Sequence, residues 1–405
     1  MAIDVVPCGS RDDFAAALGP IMHYFGSQPV SEDLDRWSRT MELPRMFAAR
    51  EGGAVVGGAG AFSFELTVPG GLLPAAGVSV VGVLPTHRRR GVLSAMMRAQ
   101  LDDVHARGEA VAYLWASEAT IYGRFGYGMA SFAGEVDIPR SANAFVRPVA
   151  RRLTSRLVGP AEALDAFPRV YERVRPAHPG MFARSRDWWE VRRLADPENR
   201  RMGGGVLNRL LLVDRDEPVA YALYRMHQSL DSGVTTGFVN VIEAVGADDA
   251  ATGELWRVLL DLDWTSRLKA AFLPVDHPLY LLVAQPRHLR LRLTDALWVR
   301  LVDVAAALGA RALGAGEPVV IDVLDAFCPW NAGRWAVGEG GAMRTDREAE
   351  LTLDVRALGS VYLGGFTIRE LARAGFVEER RPGAIARADR ILARGERAPW
   401  CPEIF

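Results

Sequence analysis

Three consecutive arginines and a glycine, Arg88 to Gly91, stand directly before apolar residues at helical spacing in the stretch VLPTHRRRGVLSAMM. The apolar run that precedes them, Val78 to Val83, predicts a buried strand. The arginines therefore fall at the N-terminal end of a predicted helix, where unpaired backbone N–H groups favour an anion. Guanidinium groups bind phosphate through paired hydrogen bonds, and glycine lets a phosphate approach the backbone. The pattern indicates a phosphate site, with a solvated helix start as the alternative.

A second group of reactive side chains follows the next predicted strand, Val111 to Trp115. Ser117-Glu118 comes first, and the string YGRFGY then places two tyrosines five residues apart. A phenol can donate a proton to a leaving group, and Tyr122 and Tyr127 each carry one. The alternative for Tyr122 is an aromatic ring that packs a short helix. Glu118 lies close in sequence, although a glutamate in a first helical turn usually serves the helix dipole.

Composition limits the classes of function. The 405 residues carry a net charge of −1 and a single lysine, Lys269, so no overall field attracts nucleic acid. Three scattered cysteines without a CxxC pair argue against a disulfide framework or a metal site and favour the cytoplasm. The N-terminus has no secretory pattern. Residues 66–85 are uncharged, but three prolines and four glycines predict a hairpin rather than a membrane span.

The pattern of elements predicts a chain of three parts. Residues 1 to about 140 read α-α-β-β-β-α-β-α-β, a complete α/β unit, and residues 150–290 repeat this character more weakly. Beyond Pro286 an α+β region follows. In the middle part we expect helices at 161–174, 185–195 and 249–262 and a hairpin at 206–226. In the last part we expect strands at 296–302, 318–323 and 349–353 and helices at 302–310, 367–375 and 384–395.

Several strings together resemble one family. The loop Arg88-x-x-Gly91, PTHRRRG, IYGRFGYG and YALYR at 221–225 resemble the enhanced intracellular survival (Eis) family of GNAT-superfamily N-acetyltransferases, and DALWVRLVDVAAAL at 295–308 and GSVYLGG at 359–365 extend the likeness. The strict GNAT loop has a second small residue where this chain has Leu93. The resemblance implies an α/β (α+β) fold. Its parts are an N-terminal GNAT domain with an acetyl-CoA site (1–148), a degenerate central GNAT-like domain (149–288) and a C-terminal sterol-carrier-like domain (289–405).

The resemblance also implies roles for single residues. Backbone N–H groups of the strand before the loop hold the pantetheine arm of acetyl-CoA and polarise its thioester, and Tyr122 protonates the departing thiolate. The carboxylate of the last residue, Phe405, reaches the active site as a base, while Trp37 and Glu403 contact the substrate. The alternatives are a docked end for Phe405, a helix anchor for Trp37 and a helix N-cap for Ser117. No metal is required. The expected cofactor-binding residues are Val81, Gly82, Val83, Arg88, Arg89, Gly91, Val92 and Ser117.

The expected reaction transfers an acetyl group to a primary amine of an aminoglycoside-like, polyamine-like or lysine-bearing substrate. The resemblance implies a homo-oligomer, a hexamer, and no membrane span or nucleic-acid partner. Two other classes remain as alternatives. One is a lipid or acyl-CoA binding module built on the last domain, with a degenerate GNAT unit, and the other is a nucleic-acid binder that uses the arginine triplet. The intact Arg88, Gly91 and Tyr122 favour the enzyme.

Overall fold

The first third of the chain forms a helix–strand pattern around the predicted arginine loop. The structure is a computed structural model that describes residues 3–28 and 30–405. Ser10 caps the first helix, because its Oγ accepts the N–H of Asp13 at 3.1 Å. The sequence did not predict the short strand β1. The elements are β1 (Asp4–Pro7), α1 (Arg11–Tyr24), α2 (Ser31–Ser38), β2 (Met46–Glu51), β3 (Ala54–Val68), β4 (Gly71–Val83), α3 (Val92–Ala106), β5 (Val111–Trp115), α4 (Ala119–Tyr122) and β6 (Gly128–Met129).

The middle of the chain repeats this pattern with different loops. Where a regular helix at 185–195 was predicted, the chain forms a π-helical turn, Trp188–Arg193, and both tryptophans of its start are buried. The elements are β7 (Phe132–Pro139), β8 (Thr154–Leu157), α5 (Pro160–Val174), β9 (Asn208–Asp214), β10 (Glu217–His227), β11 (Leu230–Asp231), β12 (Val234–Thr235), β13 (Phe238–Gly246), α6 (Asp249–Leu260), β14 (Arg267–Leu273), α7 (Leu279–Leu282) and β15 (Arg292–Asp295).

The last hundred residues complete one sheet and form another. The predicted strands near 318–323 and 349–353 are present, and the sequence missed the hairpin that lies between them. The elements are β16 (Leu297–Leu301), α8 (Val304–Ala310), β17 (Val319–Leu324), β18 (Gly333–Gly338), β19 (Gly341–Arg344), β20 (Leu351–Asp354), α9 (Val355–Tyr362), α10 (Ile368–Arg373), β21 (Val377–Glu379) and α11 (Ala384–Ile391).

The chain divides into two compact units. Unit 1 holds the residues up to Ser131, Leu297–Gly395 and Phe405, and unit 2 holds Phe132–Ala296 and Glu396–Ile404. Unit 1 contains a mixed sheet in the order β1-β2-β3-β4-β5-β16-β6 and the sheet β19-β18-β17-β20-β21. Unit 2 contains the sheet β15-β7-β14-β13-β10-β9-β8. This order matches the first sheet of unit 1 position for position, with β13 in the place of β4 and β14 in the place of β5.

This grouping differs from the linear division into 1–148, 149–288 and 289–405. Strand β7 pairs with β14 and β15 in unit 2, whereas β16 pairs with β5 and β6 in unit 1. The pattern of side chains along a strand reports which face is buried, but not which strand supplies the hydrogen bonds. The local sequence therefore does not predict that β7 joins the sheet of unit 2 while β16 joins the sheet of unit 1. We call this arrangement the exchange of β7 and β16.

Residues 66–85, which have no charge, form a hairpin, as predicted. Strands β3 and β4 pair from Gly57–Val83 to Val68–Gly71 around the turn at Pro69-Gly70, and Gly70 has a φ of 75° that favours glycine. No helix in the described part of the chain is long and apolar enough to span a bilayer.

Candidate active site

A cleft of about 550 Å³ opens in unit 1, where the ends of α1 and β4 meet the starts of α3 and α4. It exists because two parallel strands diverge. β4 pairs with β5 only from Ala75–Val111 to Gly77–Tyr113, whereas β4 itself continues to Val83. Within the described strands, the edge of β4 beyond Gly77 has no ladder partner on this side. Its N–H and C=O groups are left for a ligand that lies between the strands.

A β-bulge shapes the far end of β4. The register passes from Gly82–Gly58 to Ser79–Gly60, so that Val80 and Val81 together oppose a single residue of β3. Val80 has a φ of 50°, in the left-handed region that a β-branched residue rarely adopts. Such a residue costs about 1–3 kcal/mol and persists only where its surroundings impose it. Val81 in this bulge and Gly82 and Val83 directly after it line the cleft, as expected of a cofactor strand.

The loop between β4 and α3 places positive charge at the mouth of the cleft. Gly91 is the N-cap of α3 with a φ of 82°, and among the described residues no side chain caps this helix. Arg88, Arg89, Gly91 and Val92 all line the cleft, and both arginines are exposed. Arg90 has a different role, because its guanidinium pairs with Glu51, which also lies 3.1 Å from Nε2 of His87. The first two arginines are thus available to an anion, while the third fixes the loop.

The segment after β5 forms the opposite wall. Ser117 and Glu118 are exposed and line the cleft together with Arg124. The N-cap of α4 is Glu118, and no side-chain cap is formed within this described helix, so Ser117 does not serve as the cap that was its alternative role. Arg124 is a third guanidinium at the same cleft, and the sequence analysis did not select it.

The two candidate tyrosines occupy different environments. Tyr122 is 6% exposed and lines the cleft, and burial, followed by the charge of Glu118, raises its pKa to about 12. Tyr127 is fully buried in the core of unit 1, and burial raises the pKa of its phenol even further. Its hydroxyl has no hydrogen-bond partner in the described structure. The geometry therefore favours Tyr122 over Tyr127 as a group that meets a ligand.

The last residue lies on the sheet of unit 1, on the face opposite α3. One oxygen of the Phe405 carboxylate accepts a hydrogen bond from Oγ of Ser79, at 2.8 Å, one residue before the bulge. The ring of Phe405 meets Tyr113 at 4.9 Å and Phe64 at 5.2 Å, edge to face in both cases. A Cβ on Gly77 would come within 2.3 Å of Cε2 of Phe64 and 3.3 Å of Cε2 of Phe405, so this seat requires glycine.

A row of aromatic rings extends from Phe405 to Trp37. Trp37 on α2 stacks on Phe62 at 5.8 Å, and Phe62 stacks on Phe64 at 5.4 Å. Phe64 in turn contacts Phe405. Trp37 is half-buried. Trp37 thus anchors α2, which was the alternative to a substrate contact. It also ends the row of rings that begins at Phe405.

Glu403 has a different environment from the one expected of a substrate contact. It is 4% exposed within unit 2. Its Oε1 lies 2.5 Å from Nε of Arg184 and 3.0 Å from Nε1 of Trp188, and its Oε2 lies 3.4 Å from Nη1 of Arg193. Both oxygens are held by these partners. This placement does not support the expected substrate contact and instead makes Glu403 a buried anchor of the chain's end.

Comparisons with known proteins agree with this architecture. Models described as acetyltransferase (GNAT) domains match residues 10–130 and 180–301, and a sterol carrier protein domain matches residues 304–402. An uncharacterized N-acetyltransferase of Streptomyces avermitilis is 43% identical over 98% of both chains. N-acetyltransferase Eis of Mycobacterium tuberculosis is 37% identical over 85% of both chains. The crystal structure of Eis1 from Mycobacterium abscessus is 36% identical and superposes with a TM-score of 0.85, over 99% of this chain and 100% of that one.

The chain belongs to the Eis family of GNAT N-acetyltransferases. It is therefore an acyltransferase, and its fold is the predicted one: two GNAT domains followed by a sterol-carrier-like domain. A GNAT-related structure from Anabaena variabilis, 20% identical with a TM-score of 0.84 over 100% of both chains, shares the fold. GNAT acetyltransferases use acetyl-CoA as co-substrate. Among the described residues no group of three or more His, Cys, Asp or Glu side chains is placed to hold a metal ion.

Sequence reasoning missed several residues of this Eis-family site. Tyr24, in the last turn of α1, donates its hydroxyl to the carbonyl of Val83 at 2.7 Å and lines the cleft. Ser79 and Gly77 form the seat of Phe405. The local sequence gives only weak signals for them. Tyr24 is the last residue of α1, and Ser79 is a polar residue inside an apolar strand.

Proposed function

We propose that this enzyme transfers the acetyl group of acetyl-CoA to a primary amine of an aminoglycoside-like, polyamine-like or lysine-bearing substrate. One observation carries the proposal. The uncapped N-terminus of α3, Arg88, Arg89 and the buried phenol of Tyr122 line a single cleft, which the diverging strands β4 and β5 open. An anionic carrier with a reactive end is the kind of ligand that these groups suit.

The residues present fit acetyl-CoA. Three guanidinium groups, those of Arg88, Arg89 and Arg124, and the first N–H groups of α3 would bind its phosphates. The free edge of β4 after the bulge at Val80 would hydrogen-bond the pantetheine amides, and an N–H group near Val81 would polarise the thioester carbonyl. Bound there, acetyl-CoA supplies the acyl group and the thiolate leaving group.

Acyl transfer replaces a C–S bond by a C–N bond, and it requires one proton transfer to the sulfur and one from the nitrogen. The amine nitrogen forms a bond to the carbonyl carbon, the C–S bond breaks, and the electron pair of that bond leaves with sulfur. Tyr122 donates its phenolic proton to the departing thiolate. The neutral amine attacks, and the proton that its nitrogen then loses passes, through a water, to the carboxylate of Phe405. Exchange with solvent returns this carboxylate and the phenol of Tyr122 to their starting forms. A carboxylate of reference pKa about 3.3–3.7 is a weak base, so a relay through water is more favourable than direct abstraction.

The aromatic row suits a cationic acceptor. Faces of aromatic rings attract ammonium groups, and the row from Trp37 to Phe405 ends at a carboxylate. The rings and the carboxylate of Phe405 together support an amine substrate rather than a neutral or anionic one.

Thiol release from acetyl-CoA, measured against a panel of amines, tests this function. We expect turnover with aminoglycosides, polyamines or lysine-bearing peptides and none with neutral alcohols. Binding of acetyl-CoA without turnover on any amine, in protein whose Tyr122 is intact, would contradict the proposal and favour a binding module.

Arg88→Ala tests the phosphate site. We expect acetyl-CoA affinity to fall about tenfold, ~1.5 kcal/mol, at the low end for a hydrogen bond to a charged group because the side chain is exposed. Isothermal calorimetry measures the affinity. Arg107→Ala, at the other end of α3 and paired with Asp103 at 2.7 Å, is the matched control and should bind normally. Unchanged affinity in both Arg88→Ala and Gly91→Val would refute the assignment.

Ser79→Ala tests the seat of the terminal carboxylate. Removal of its hydroxyl deletes the 2.8 Å hydrogen bond to Phe405 and leaves the strand intact, so kcat should fall about tenfold while the KM for acetyl-CoA stays constant. Ser63→Ala is the control, because its hydroxyl binds Glu42 at the surface, at 2.8 Å. Steady-state kinetics that show equal kcat in the two variants would remove Ser79 from the site.

A cytoplasmic homohexamer completes the proposal. The three cysteines, Cys8, Cys328 and Cys401, are buried and none forms a disulfide, which suits a reducing compartment. The hexamer has its support in the resemblance to the Eis family. Sedimentation velocity of the purified protein tests it, and a monomer at micromolar concentration would exclude it.

A further inference from the structure

Unit 2 contains its own version of the cleft found in unit 1. Strands β13 and β14 run parallel and pair from Phe238–Arg267 to Val241–Ala270, after which β13 continues to Gly246 paired only with β10 on its other side. Helix α6 starts just after β13, as α3 starts just after β4. A pocket of about 120 Å³ lies at this place, bounded by the ends of α5 and β13, the start of α6 and the loop before α7. The same frame therefore forms a second, smaller cleft.

The charge at this second helix start is reversed. Asp248 caps α6 by accepting the N–H of Ala251 at 2.7 Å, and Asp249 adds a second carboxylate. A helix start that carries two carboxylates repels phosphate and attracts a cation. Nη2 of Arg397 lies 2.8 Å from Oδ1 of Asp249. An arginine of the chain's own end thus lies where a GNAT cofactor would place its phosphates.

The residues after Arg397 also bind to groups of unit 2. Oδ2 of Asp276 accepts the N–H of Ala398 at 2.9 Å. Trp400 donates its backbone N–H to the carbonyl of Pro179 at 2.8 Å, and its indole N–H to the carbonyl of Phe272 at 2.6 Å. Phe272 lies at a register shift of β14 with a φ of 58°, much as Val80 does in β4. Trp400 is 7% exposed and belongs to the core of unit 2.

Glu403, further along this segment, belongs to a buried cluster of ion pairs. Arg184 and Arg193 both pair with Glu243 on β13, each at 2.7 Å, and both also pair with Glu403. Glu243 lies beyond the stretch where β13 pairs with β14. Its pKa is lowered to about 2 by these guanidinium groups, although burial opposes this shift. Without Glu403, two buried guanidinium groups would share one carboxylate, which is costly inside a protein. The cluster therefore recognises an acidic side chain at this position of the tail.

We propose that unit 2 is a peptide receptor whose ligand is the segment Glu396–Glu403 of this chain. The recognised pattern is Arg397-x-x-Trp400-x-x-Glu403. The acidic start of α6 binds the arginine, two backbone carbonyls accept hydrogen bonds from the tryptophan, and a buried pair of arginines binds the glutamate. A cleft of the cofactor-binding type thus holds a peptide. One consequence rests on the proposed function: since two residues span at most about 7 Å, docking of Glu403 confines the carboxylate of Phe405.

Cleavage of the folded full-length protein tests the receptor. A specific protease site is inserted between Gly395 and Glu396, where residues 393–396 are exposed and outside any helix or strand. After cleavage, we expect the C-terminal fragment to co-elute with the protein in gel filtration at micromolar concentration. Loss of the fragment from protein whose circular dichroism is unchanged would overturn the proposal.

Exchange with synthetic peptides of residues 396–405 identifies the contacts without any risk to folding. Peptides with Arg397→Ala, Trp400→Ala or Glu403→Gln should bind the cleaved protein at least tenfold more weakly than the parent peptide, by fluorescence anisotropy. Glu396→Ala, at an exposed position, is the control and should bind equally. Equal binding of all these variants would refute the receptor.

A peptide with a C-terminal amide separates this proposal from the proposed function. The amidated peptide should dock as the parent does, because the receptor contacts end at Glu403. Docking with loss of turnover supports both proposals. Docking with full turnover would leave the receptor intact and refute the base role of Phe405, whereas failure of the parent peptide to dock would refute the receptor alone.

Discussion

Tyr122→Phe is expected to lower kcat by about 10²- to 10⁴-fold while acetyl-CoA affinity stays near that of the wild type. The substitution keeps the ring, which packs in the core of unit 1, and deletes only the hydroxyl of this cleft-lining residue. The departing thiolate then lacks its proton donor. Stopped-flow detection of thiol release, together with calorimetry for the cofactor, separates the chemical step from binding.

The control for this substitution is Tyr127→Phe. The hydroxyl of Tyr127 is buried and has no partner within the described residues, so its removal should leave kcat unchanged. Normal turnover in Tyr122→Phe with a loss in Tyr127→Phe would reverse the two roles.

The pH dependence provides an independent check. Burial raises the pKa of Tyr122 to about 12, so the phenol keeps its proton well above the ordinary tyrosine range. An acid that must be protonated with a pKa near 12 causes no loss of rate between pH 8 and 10. We expect kcat to show no decline over this interval.

A short extension after Phe405 is expected to abolish turnover, with thermal stability and acetyl-CoA affinity near those of the wild type. Extension converts the terminal carboxylate into a peptide carbonyl, which cannot accept a proton at neutral pH. The ring of Phe405 keeps its contacts with Tyr113 and Phe64, so any loss reports the charge. Thiol-release assays and differential scanning calorimetry provide the two readouts.

An extension of equal length at the N-terminus is the control and should leave turnover intact. Full activity in the C-terminally extended enzyme would exclude the carboxylate as base. A large drop in the melting temperature would instead identify Phe405 as a packed end of the chain.

The proposed cofactor half of the site could largely be predicted from local sequence. A strand, an Arg-x-x-Gly loop and a helix follow one another in the sequence. The helical spacing of apolar residues after Gly91 therefore predicts that Arg88 and Gly91 lie at the start of a helix. Tyr122 is equally local, because it comes seven residues after the strand Val111–Trp115 ends. The structure brings all three to one cleft.

The proposed acceptor half depends on contacts between residues that are far apart in the sequence. Ser79 and Phe405 are 326 positions apart, and no pattern in either neighbourhood encodes their hydrogen bond. Glu403 shows the same limit. An acidic residue near the end of the chain is compatible with a substrate contact, and only its burial against Arg184 and Arg193 reveals an anchor.

The exchange of β7 and β16 has a consequence for biosynthesis. Strand β5 leaves the ribosome about 180 residues before its antiparallel partner β16, Leu297–Leu301. At about 5–20 residues per second, its edge waits roughly 10–40 s for that partner. An unpaired edge of Val111–Trp115 is a template for association with other nascent chains. Efficient production of this enzyme therefore depends on protection of one strand edge during translation, and a fragment that ends before Leu297 would keep that edge open permanently.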